Sequence, residues 1–372
     1  MSAPNGLAAN YYTIRPWERE HFARCRRAWD LSARERQNWE PKRPARVFDF
    51  SEAVHDALAV YYFPGMWDWN RTIVRPLATE GFLKSMRRQR ESYMAAMGAP
   101  LSREQEAGWE EHTEAGRSML EAYYEWAAEV DRFSSVQVET LFDVTVPDPA
   151  NPTEGLLTAG GRGINYRLRV DMVAVDEHEL YWLVDHRVVI GEWPDLDHLM
   201  LDEQILTRSW AWELGFLARV SGTIHNELRL PSPGEPDPAD RAPVSRDIEV
   251  IDRGSRLVRQ QSNGRFRRTQ IPRERAEIEG AGARVASEAR AMTDRHVAVY
   301  PTPEDGLCAG CLYRPPCLAL MQGDDPGPIL EASYQPRTRP DFEEGRLGSV
   351  WGFVPHRPDQ THVRLNPPSV DD

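Results

Sequence analysis

Lysine is almost absent from this chain, although basic residues are not. Lysine and arginine together number 45, and Lys42 and Lys84 are the only lysines. Both precede the strand-rich middle of the sequence, so chemistry that requires a lysine amine there has no candidate residue. A preference for arginine this strong is typical of a GC-rich coding sequence, in which lysine positions drift to arginine.

Long apolar runs are missing as well. No stretch approaches the roughly 20 residues that a membrane span requires, and the N-terminus has no basic region followed by an apolar core. We therefore expect a cytoplasmic protein without membrane contact. The 372 residues suffice for one large domain with insertions or for two small ones. The net charge of −13 argues against indiscriminate nucleic-acid binding. Whether the protein binds nucleic acid therefore depends on local patches of basic residues.

Cysteine is scarce and unevenly placed. Cys308, Cys311 and Cys317 lie together in the stretch CAGCLYRPPC, and Cys25 lies near the other end of the chain. In a cytosolic protein such a grouping indicates metal binding rather than disulfides. Four thiolates suit a structural zinc ion and an iron–sulfur cluster about equally well. Unrelated buried thiols are the remaining alternative.

Apolar periodicity divides the chain into helical ends and a strand-rich middle. The expected helices are 14–40 with Cys25 inside it, FSEAVHDALAVYY with Ser51 as its N-cap, two helices in a charged insertion over 76–130, 196–216, and RAEIEGAGARVASEARAM. The expected strands are SVQVETLFDVTV (135–146), YRLRVDMVAV (166–175), LYWLVDHRVV (180–189) and VSGTIHNELRL (220–230). The short DEHE between the second and third strands predicts a hairpin.

The order of these elements predicts an α/β (α+β) fold in one domain over 1–325. Within it, 231–275 forms a loop followed by an arginine-rich segment. We expect 326–372, which is rich in proline, to be an extended C-terminal tail and a candidate binding segment for a partner protein.

The arginine-rich segment is the strongest local concentration of positive charge in an acidic chain. Its arginines predict a surface that follows the phosphate backbone of DNA, and a solvated charged hairpin is the alternative. The predicted DNA-binding residues are Arg253, Arg256, Arg259, Arg265, Arg267 and Arg268.

Two carboxylates mark the strand-rich middle. Asp171 and Asp185 each lie in an apolar run, where an unpaired carboxylate is costly. If they lie at matching ends of adjacent strands, they converge on one divalent cation; pairing with arginine or exposure to solvent is the alternative. His55 is a third candidate ligand, although a lone histidine on a helix is more often a packed residue. Glu139, on the preceding strand, is interpreted as structural.

The order of these residues along the chain resembles that of a known family. A histidine on an early helix, an aspartate in a strand, an Asp-x-Lys at the next strand and a glutamine on the following helix are typical of PD-(D/E)XK nucleases of the RecB/AddB type. His55, Asp171, Asp185 and Gln204 take these positions. The iron–sulfur branch, which includes CRISPR-adaptation nucleases and related phage exonucleases, adds one cysteine before the core and three after it. The resemblance covers roughly residues 14–325.

The resemblance implies a restriction-endonuclease-like core, a mixed β-sheet flanked by helices, with a 4Fe–4S cluster joining its two ends. The implied cluster ligands are Cys25, Cys308, Cys311 and Cys317, and structural Zn²⁺ is the alternative occupant. The implied site for Mg²⁺ or Mn²⁺ consists of His55, Asp171, Asp185 and the backbone carbonyl of His186. The implied catalytic set is Asp171, Asp185, Arg187 and Gln204.

Three positions depart from the family pattern. Arg187 replaces the catalytic lysine, and its guanidinium neither donates nor accepts a proton near neutral pH. Leu168 stands where a glycine is usual, and Arg208 replaces the aromatic residue four positions after Gln204. These departures leave two hypotheses in which the protein acts on or binds DNA, and a third in which it is a scaffold protein.

The first hypothesis is a metal-dependent DNA nuclease that acts at ends or on single strands in DNA repair, phage or defence processes. The second is a pseudo-nuclease that binds DNA or a partner protein within a larger complex. An iron–sulfur scaffold for a protein partner, with no role at DNA, is the third.

Overall fold

The computed structural model describes residues 11–230, 249–252 and 256–337. The helices in these ranges are α1 (Pro16–Arg24), α2 (Arg26–Ser32), α3 (Phe50–Tyr61), α4 (Arg71–Met97), α5 (Arg103–Val130), α6 (Leu196–Met200), α7 (Glu203–Phe216), α8 (Arg275–Thr293), α9 (Asp305–Ala309), α10 (Arg314–Gln322) and α11 (Gly327–Ser333). Every helix in the described ranges is too short or too polar to span a lipid bilayer.

The strands form one large mixed sheet and two small ladders. They are β1 (Tyr11–Ile14), β2 (Trp39–Pro41), β3 (Phe133–Thr145), β4 (Pro147–Asp148), β5 (Asn151–Gly155), β6 (Gly163–Asp176), β7 (Tyr181–Ile190), β8 (Val220–Leu230), β9 (Glu249–Asp252), β10 (Leu257–Ser262), β11 (Phe266–Pro272) and β12 (Tyr334–Pro336). The large sheet has the order β1-β6-β7-β8-β11-β10-β9, and β3 also pairs with β6. This confirms the predicted α/β class with a mixed sheet flanked by helices.

The long strand β6 creates an opening in the large sheet. Along one edge, β3 pairs with β6 from Asn165 to Asp176. Along the other edge, β1 pairs in parallel with Gly163–Tyr166 and β7 pairs antiparallel with Met172–Val175. Residues 167–171 therefore lie between two different partner strands, and Asp171 is the last residue before the β6–β7 ladder begins.

Alternation along β7 divides its side chains between two helical layers. Leu183 packs in a cluster with Ile205 and Trp212 of α7. Val184 belongs to the core that α3, α4 and α5 build on the opposite face. Because strand side chains alternate, Asp185 and Arg187 lie on the α7 face and His186 lies on the face of α3 and α5.

The helical insertion is present as two helices, α4 and α5, as its periodicity predicts. The helix predicted over 14–40 is wrong as one element, because the chain leaves the helical conformation at Cys25, with φ −156° and ψ 109°. The predicted cap of α3 is also wrong. Asp49, rather than Ser51, accepts the hydrogen bond from the Glu52 amide at 3.1 Å, since the helix already begins at Phe50.

The predicted C-terminal tail does not begin at residue 326. Residues 327–336 form α11 and β12, and β12 pairs antiparallel with β2 near the start of the chain. Leu330 and Tyr334 pack with Leu31 and Tyr313 in a small core. The remainder of the predicted tail, 338–372, lies outside the described residues.

Gly222 in β8 provides a test of the sheet packing. A Cβ there would lie 2.4 Å from the Ile271 carbonyl oxygen and 2.9 Å from the Pro272 Cα. Since these backbone atoms cannot rotate away, we expect Gly222→Ala to lower the free energy of unfolding by about 1–3 kcal/mol. Urea denaturation monitored by circular dichroism measures this change.

Gly108→Ala in α5 is the matched control. Among the described residues, no neighbouring atom would lie within 4 Å of the added methyl group. Alanine is the better helix former, so this variant should gain about 0.5–1 kcal/mol. Equal effects of the two substitutions would contradict the packing described for β8.

Candidate active site

An open cavity of about 580 Å³ lies where the partners of β6 change. It brings together residues from α1, α3, β6, β7 and the first turns of α7. Its lining consists of Arg24, Asp49, Ser51, His55, Arg169, Asp171, Asp185, His186, Arg187, His198, Leu201, Asp202, Glu203, Gln204 and Arg208. The cavity is therefore rich in both carboxylates and guanidinium groups.

One cluster at this cavity consists of His55 and Asp171, which line it, and Glu139 behind them. The potential ligand atoms of these three residues all lie within 4.8 Å of one another. The Nδ1 atom of His55 lies 3.4 Å from Glu139 Oε1 and 3.8 Å from Asp171 Oδ2. Arg169 Nε lies 2.7 Å from Glu139 Oε2. One imidazole and two carboxylates are ligand types that divalent cations accept.

The backbone at Glu139 is unusual for a strand. Its φ is +45°, in the left-handed region that non-glycine residues rarely adopt. The side chain is buried and lies next to His55 and Arg169. Strained backbone of this kind clusters at functional sites, so Glu139 belongs to the candidate site rather than to the structural background.

His186 connects the cavity to the face of the sheet that carries α3 and α5. Its backbone amide donates to Asp171 Oδ2 at 3.1 Å, and its ring stacks on Tyr62. Its Nδ1 atom lies 2.9 Å from the Asn226 amide nitrogen. Burial lowers the pKa of the His186 imidazole to about 4, so the ring is neutral at pH 7 and accepts a hydrogen bond from Asn226.

Asp185 lies between two arginines. Arg187 Nε contacts one carboxylate oxygen and Arg208 Nη1 contacts the other. Burial raises the pKa of the Asp185 carboxyl, but Arg187 and Arg208 together outweigh burial and hold the pKa below its usual range. The Asp185 side chain is therefore a carboxylate with both oxygens engaged by guanidinium groups.

A second cluster surrounds the same aspartate. Asp185, Asp202 and His225 also have potential ligand atoms within 4.8 Å of one another. His225 is the register partner of Asp185 across the parallel β7–β8 ladder. Asp202 caps α7 with one carboxylate oxygen, and its other oxygen contacts Arg187 Nη2. Burial lowers the pKa of His225 to about 4.

Comparison with known proteins agrees with this geometry. The family model described as the PD-(D/E)XK nuclease superfamily matches residues 16–318. The chain belongs to this superfamily. No curated protein shows significant sequence similarity to the chain.

Members of the superfamily are typically metal-dependent nucleases that use Mg²⁺ or Mn²⁺. The residues predicted for catalysis and for binding the divalent cation line one cavity in this chain: His55, Asp171, Asp185, His186, Arg187 and Gln204. The prediction that the two aspartates lie at strand ends is wrong. Each lies inside a long strand, next to the last residue pair of the β6–β7 ladder. They also belong to separate clusters rather than to a single ligand set.

Several residues of the site are absent from the sequence-based prediction. The sequence pattern indicates a structural role for Glu139, and it does not single out Asp202 or His225. Arg208 stands out in the sequence only as a departure from the family pattern. The four-residue spacing between Gln204 and Arg208 places them on one helical face. This spacing is a sequence signal that Arg208 belongs to the same site as Gln204. The His225 contact depends on strand register, for which the sequence carries no direct signal.

The arginine-rich segment does not form the continuous basic surface that was predicted. Arg267 pairs with Glu227, and Arg268 is buried against Asp131. Arg256 lies 3.0 Å from Glu277. Since Arg267 and Arg268 are part of the sheet's interior, their guanidinium groups do not face a phosphate backbone.

The other predicted DNA-binding arginines have different surroundings. Arg259 is exposed on β10, and Arg265 is half-buried beside the β10–β11 turn. Arg253 lies outside the described residues. Arg24, Arg187 and Arg208 line the cavity instead, so the positive charge nearest the candidate site comes from separate elements.

Arg268 belongs to a polar chain that supports His186. Its Nη2 atom donates to Tyr123 Oη at 3.1 Å and to Asn226 Oδ1 at 3.0 Å. Asn226 in turn contacts His186. The placement of Arg268 thus connects Asp131 to the floor of the cavity.

The four cysteines lie near one another in space. Burial raises the pKa of the Cys311 thiol, and Cys25 and Cys308 raise it further. The same applies to Cys317, whose pKa is raised by burial and by the other three thiols, against the lowering effect of Arg27. The chain therefore brings Cys25 to the C-terminal group, although it is nearly 300 residues away in sequence.

We expect Arg268→Met to lower the free energy of unfolding by about 3–5 kcal/mol, because it removes a buried guanidinium and leaves the largely buried Asp131 carboxylate without the cation that contacts it. Chemical denaturation measures this loss. Arg259→Met, which removes an exposed arginine from the same hairpin, should change stability by less than about 0.5 kcal/mol. If Arg268→Met left the stability unchanged and weakened DNA binding, Arg268 would be a DNA-contacting residue, as the sequence predicts.

Proposed function

We propose that this protein is a metal-dependent DNA nuclease that acts at ends or on single strands and carries a structural 4Fe–4S cluster. The observation that carries the proposal is the convergence of His55, Asp171 and Asp185 on one cavity, with Glu139 next to His55 and Asp171, in a chain of this superfamily. The choice of ends or single strands, and a role in DNA repair, phage or defence processes, rests on the sequence resemblance alone.

The donor set fits a divalent cation. His55, Glu139 and Asp171 supply an imidazole and two carboxylates, and the backbone carbonyl of His186 is a further proposed ligand. A bound Mg²⁺ or Mn²⁺ would supply an activated water and stabilise negative charge on the phosphate. Burial raises the pKa of the Asp171 carboxyl, but the neighbouring His55 and Arg208 outweigh burial and hold the pKa below its usual range, so this side chain is ionised.

The arginines of the cavity have the proposed role of binding phosphate. Arg187 and Arg208 carry permanent positive charge and a planar set of donors that matches a phosphate group. A phosphate that enters the cavity competes with Asp185 for these donors. Arg187 therefore supplies charge and orientation at the position where relatives have lysine, and it does not transfer a proton. Gln204, at the start of α7, is proposed to orient the bound substrate.

The four cysteines have the proposed role of holding a 4Fe–4S cluster. Neighbouring thiols raise the pKa of Cys311 and Cys317, so the cysteines lie close enough to one another to share an inorganic group. Four thiolates suit either an iron–sulfur cluster or structural Zn²⁺, and the choice of the cluster rests on the sequence resemblance.

A DNA-binding pseudo-nuclease is the second candidate, and one observation favours it. Both oxygens of Asp185 are engaged by Arg187 and Arg208, so this carboxylate is not available to a cation in the arrangement described. In that case the cavity binds DNA through its arginines, or the protein acts through a partner, without hydrolysis.

The test is cleavage of end-labelled single- and double-stranded DNA in Mn²⁺ by anaerobically purified protein. We expect cleavage. We expect Asp171→Asn to reduce the cleavage rate at least about 100-fold, because loss of a general-base or metal-binding carboxylate removes a rate enhancement of about this size. Arg259→Ala, which removes an exposed arginine that does not line the cavity, serves as the control for nonspecific loss of positive charge. Tight DNA binding without cleavage would favour the pseudo-nuclease.

Arg187→Lys distinguishes the two candidates further. If Arg187 acts as a phosphate-binding cation, lysine retains the charge but loses the bidentate contacts, and cleavage should fall. The measurement is the single-turnover rate at saturating DNA. A rise from undetectable to measurable cleavage would show instead that arginine at this position had abolished an ancestral activity.

The cluster has its own test. Anaerobic protein should contain iron and acid-labile sulfide, and Cys308→Ser should lose both together with part of its thermal stability, because metal binding contributes to folding. Elemental analysis and thermal unfolding measure these changes. Protein that contains zinc and no sulfide would establish the alternative occupant.

A further inference from the structure

We propose that Asp185, Asp202 and His225 form a second cation site, which the Arg187 guanidinium occupies in this structure. The site shares Asp185 with the proposed active site but does not depend on cleavage of DNA. It would take a divalent transition-metal ion such as Mn²⁺, in alternation with Arg187.

The three side chains converge because of their places in the fold. Parallel pairing of β7 with β8 sets His225 directly beside Asp185. Asp202 reaches the same point from the N-cap position of α7. Its Oδ1 atom accepts hydrogen bonds from the amides of Gln204 and Ile205, and its Oδ2 atom faces the cluster. All three residues offer ligand atoms within 4.8 Å of one another.

Arg187 satisfies only part of this cluster. Its Nε and Nη2 atoms contact Asp185 and Asp202. His225 is 0% exposed, and neither of its ring nitrogens has a hydrogen-bond partner among the described residues. A buried polar group without a partner is costly. A metal ion would engage the imidazole and both carboxylates together, whereas the guanidinium engages only the carboxylates.

The ligand set favours a particular class of ion. Carboxylates alone suit Mg²⁺ and Ca²⁺, while an imidazole shifts the preference toward transition metals. Entry of such an ion would displace the guanidinium, and Arg187 would then be free to turn into the cavity that it already lines. The second cation would thus release Arg187 for contact with a phosphate.

The experiment counts bound Mn²⁺ by electron paramagnetic resonance, with Mn²⁺ alone as the probe and no DNA. Mn²⁺ is chosen because it has the lowest affinity for thiolates among these ions, so the cysteines do not interfere. The background is His55→Gln, which removes the histidine of the first cluster. In this background Arg187→Met should bind Mn²⁺ at least tenfold more tightly than the chain with Arg187.

Two ligand variants complete the design. On the background of His55→Gln and Arg187→Met, either His225→Gln or Asp202→Asn should reverse the tighter binding. The nitrogen coupling in the Mn²⁺ spectrum should also disappear with His225→Gln. Asparagine caps helices about as well as aspartate, so Asp202→Asn decides the matter if His225→Gln fails to fold.

The proposal is overturned if Arg187→Met leaves Mn²⁺ affinity unchanged, or if binding persists unaltered in Asp202→Asn. Neither outcome bears on DNA cleavage, which tests the proposed function separately. Conversely, a protein that does not cleave DNA can still show the predicted competition between Arg187 and Mn²⁺.

Discussion

The candidate site depends on the neutralisation of one buried carboxylate. Asp185 is 4% exposed and lies in the middle of β7, within a largely apolar run of residues. A charge in such a place is tolerated only when opposite charge or metal lies next to it. Arg187 and Arg208 provide that charge here, and their positions in turn fix the start of α7 through Asp202. The cavity keeps its shape because these charges are held in place.

The same interaction relates the two candidate functions. A nuclease of this superfamily uses a carboxylate at this position together with a cation, and the arginines and the cation are competitors for Asp185. His55, Glu139 and Asp171 form a separate cluster that does not depend on the release of Asp185. Partial loading with metal, without displacement of the arginines, is therefore compatible with the geometry. The two candidate functions therefore differ in the partner of Asp185, which is a metal cation in the nuclease and the two arginines in the pseudo-nuclease.

Much of the fold could be predicted from the sequence, because its signals are local. Alternating apolar residues located β3, β6, β7 and β8 to within a few residues of their ends, and helical spacing located α4 and α5. The errors occurred where a tertiary contact overrides the local pattern. The helix predicted through Cys25 is interrupted where Cys25 approaches the C-terminal cysteines, and β12 docks on β2 where composition predicted a tail.

The sequence by itself determined the superfamily and the residue types of the site, because ordered motifs and their spacing are properties of the linear chain. Only the tertiary structure decided how these residues are paired. Strand register set His225 beside Asp185. Glu139, with its left-handed backbone, lies next to His55. Burial made Arg267 and Arg268, which are predicted DNA contacts, into internal counter-ions. The physical reason is that a charge acquires its role from the charges and solvent around it, and those neighbours are distant in sequence.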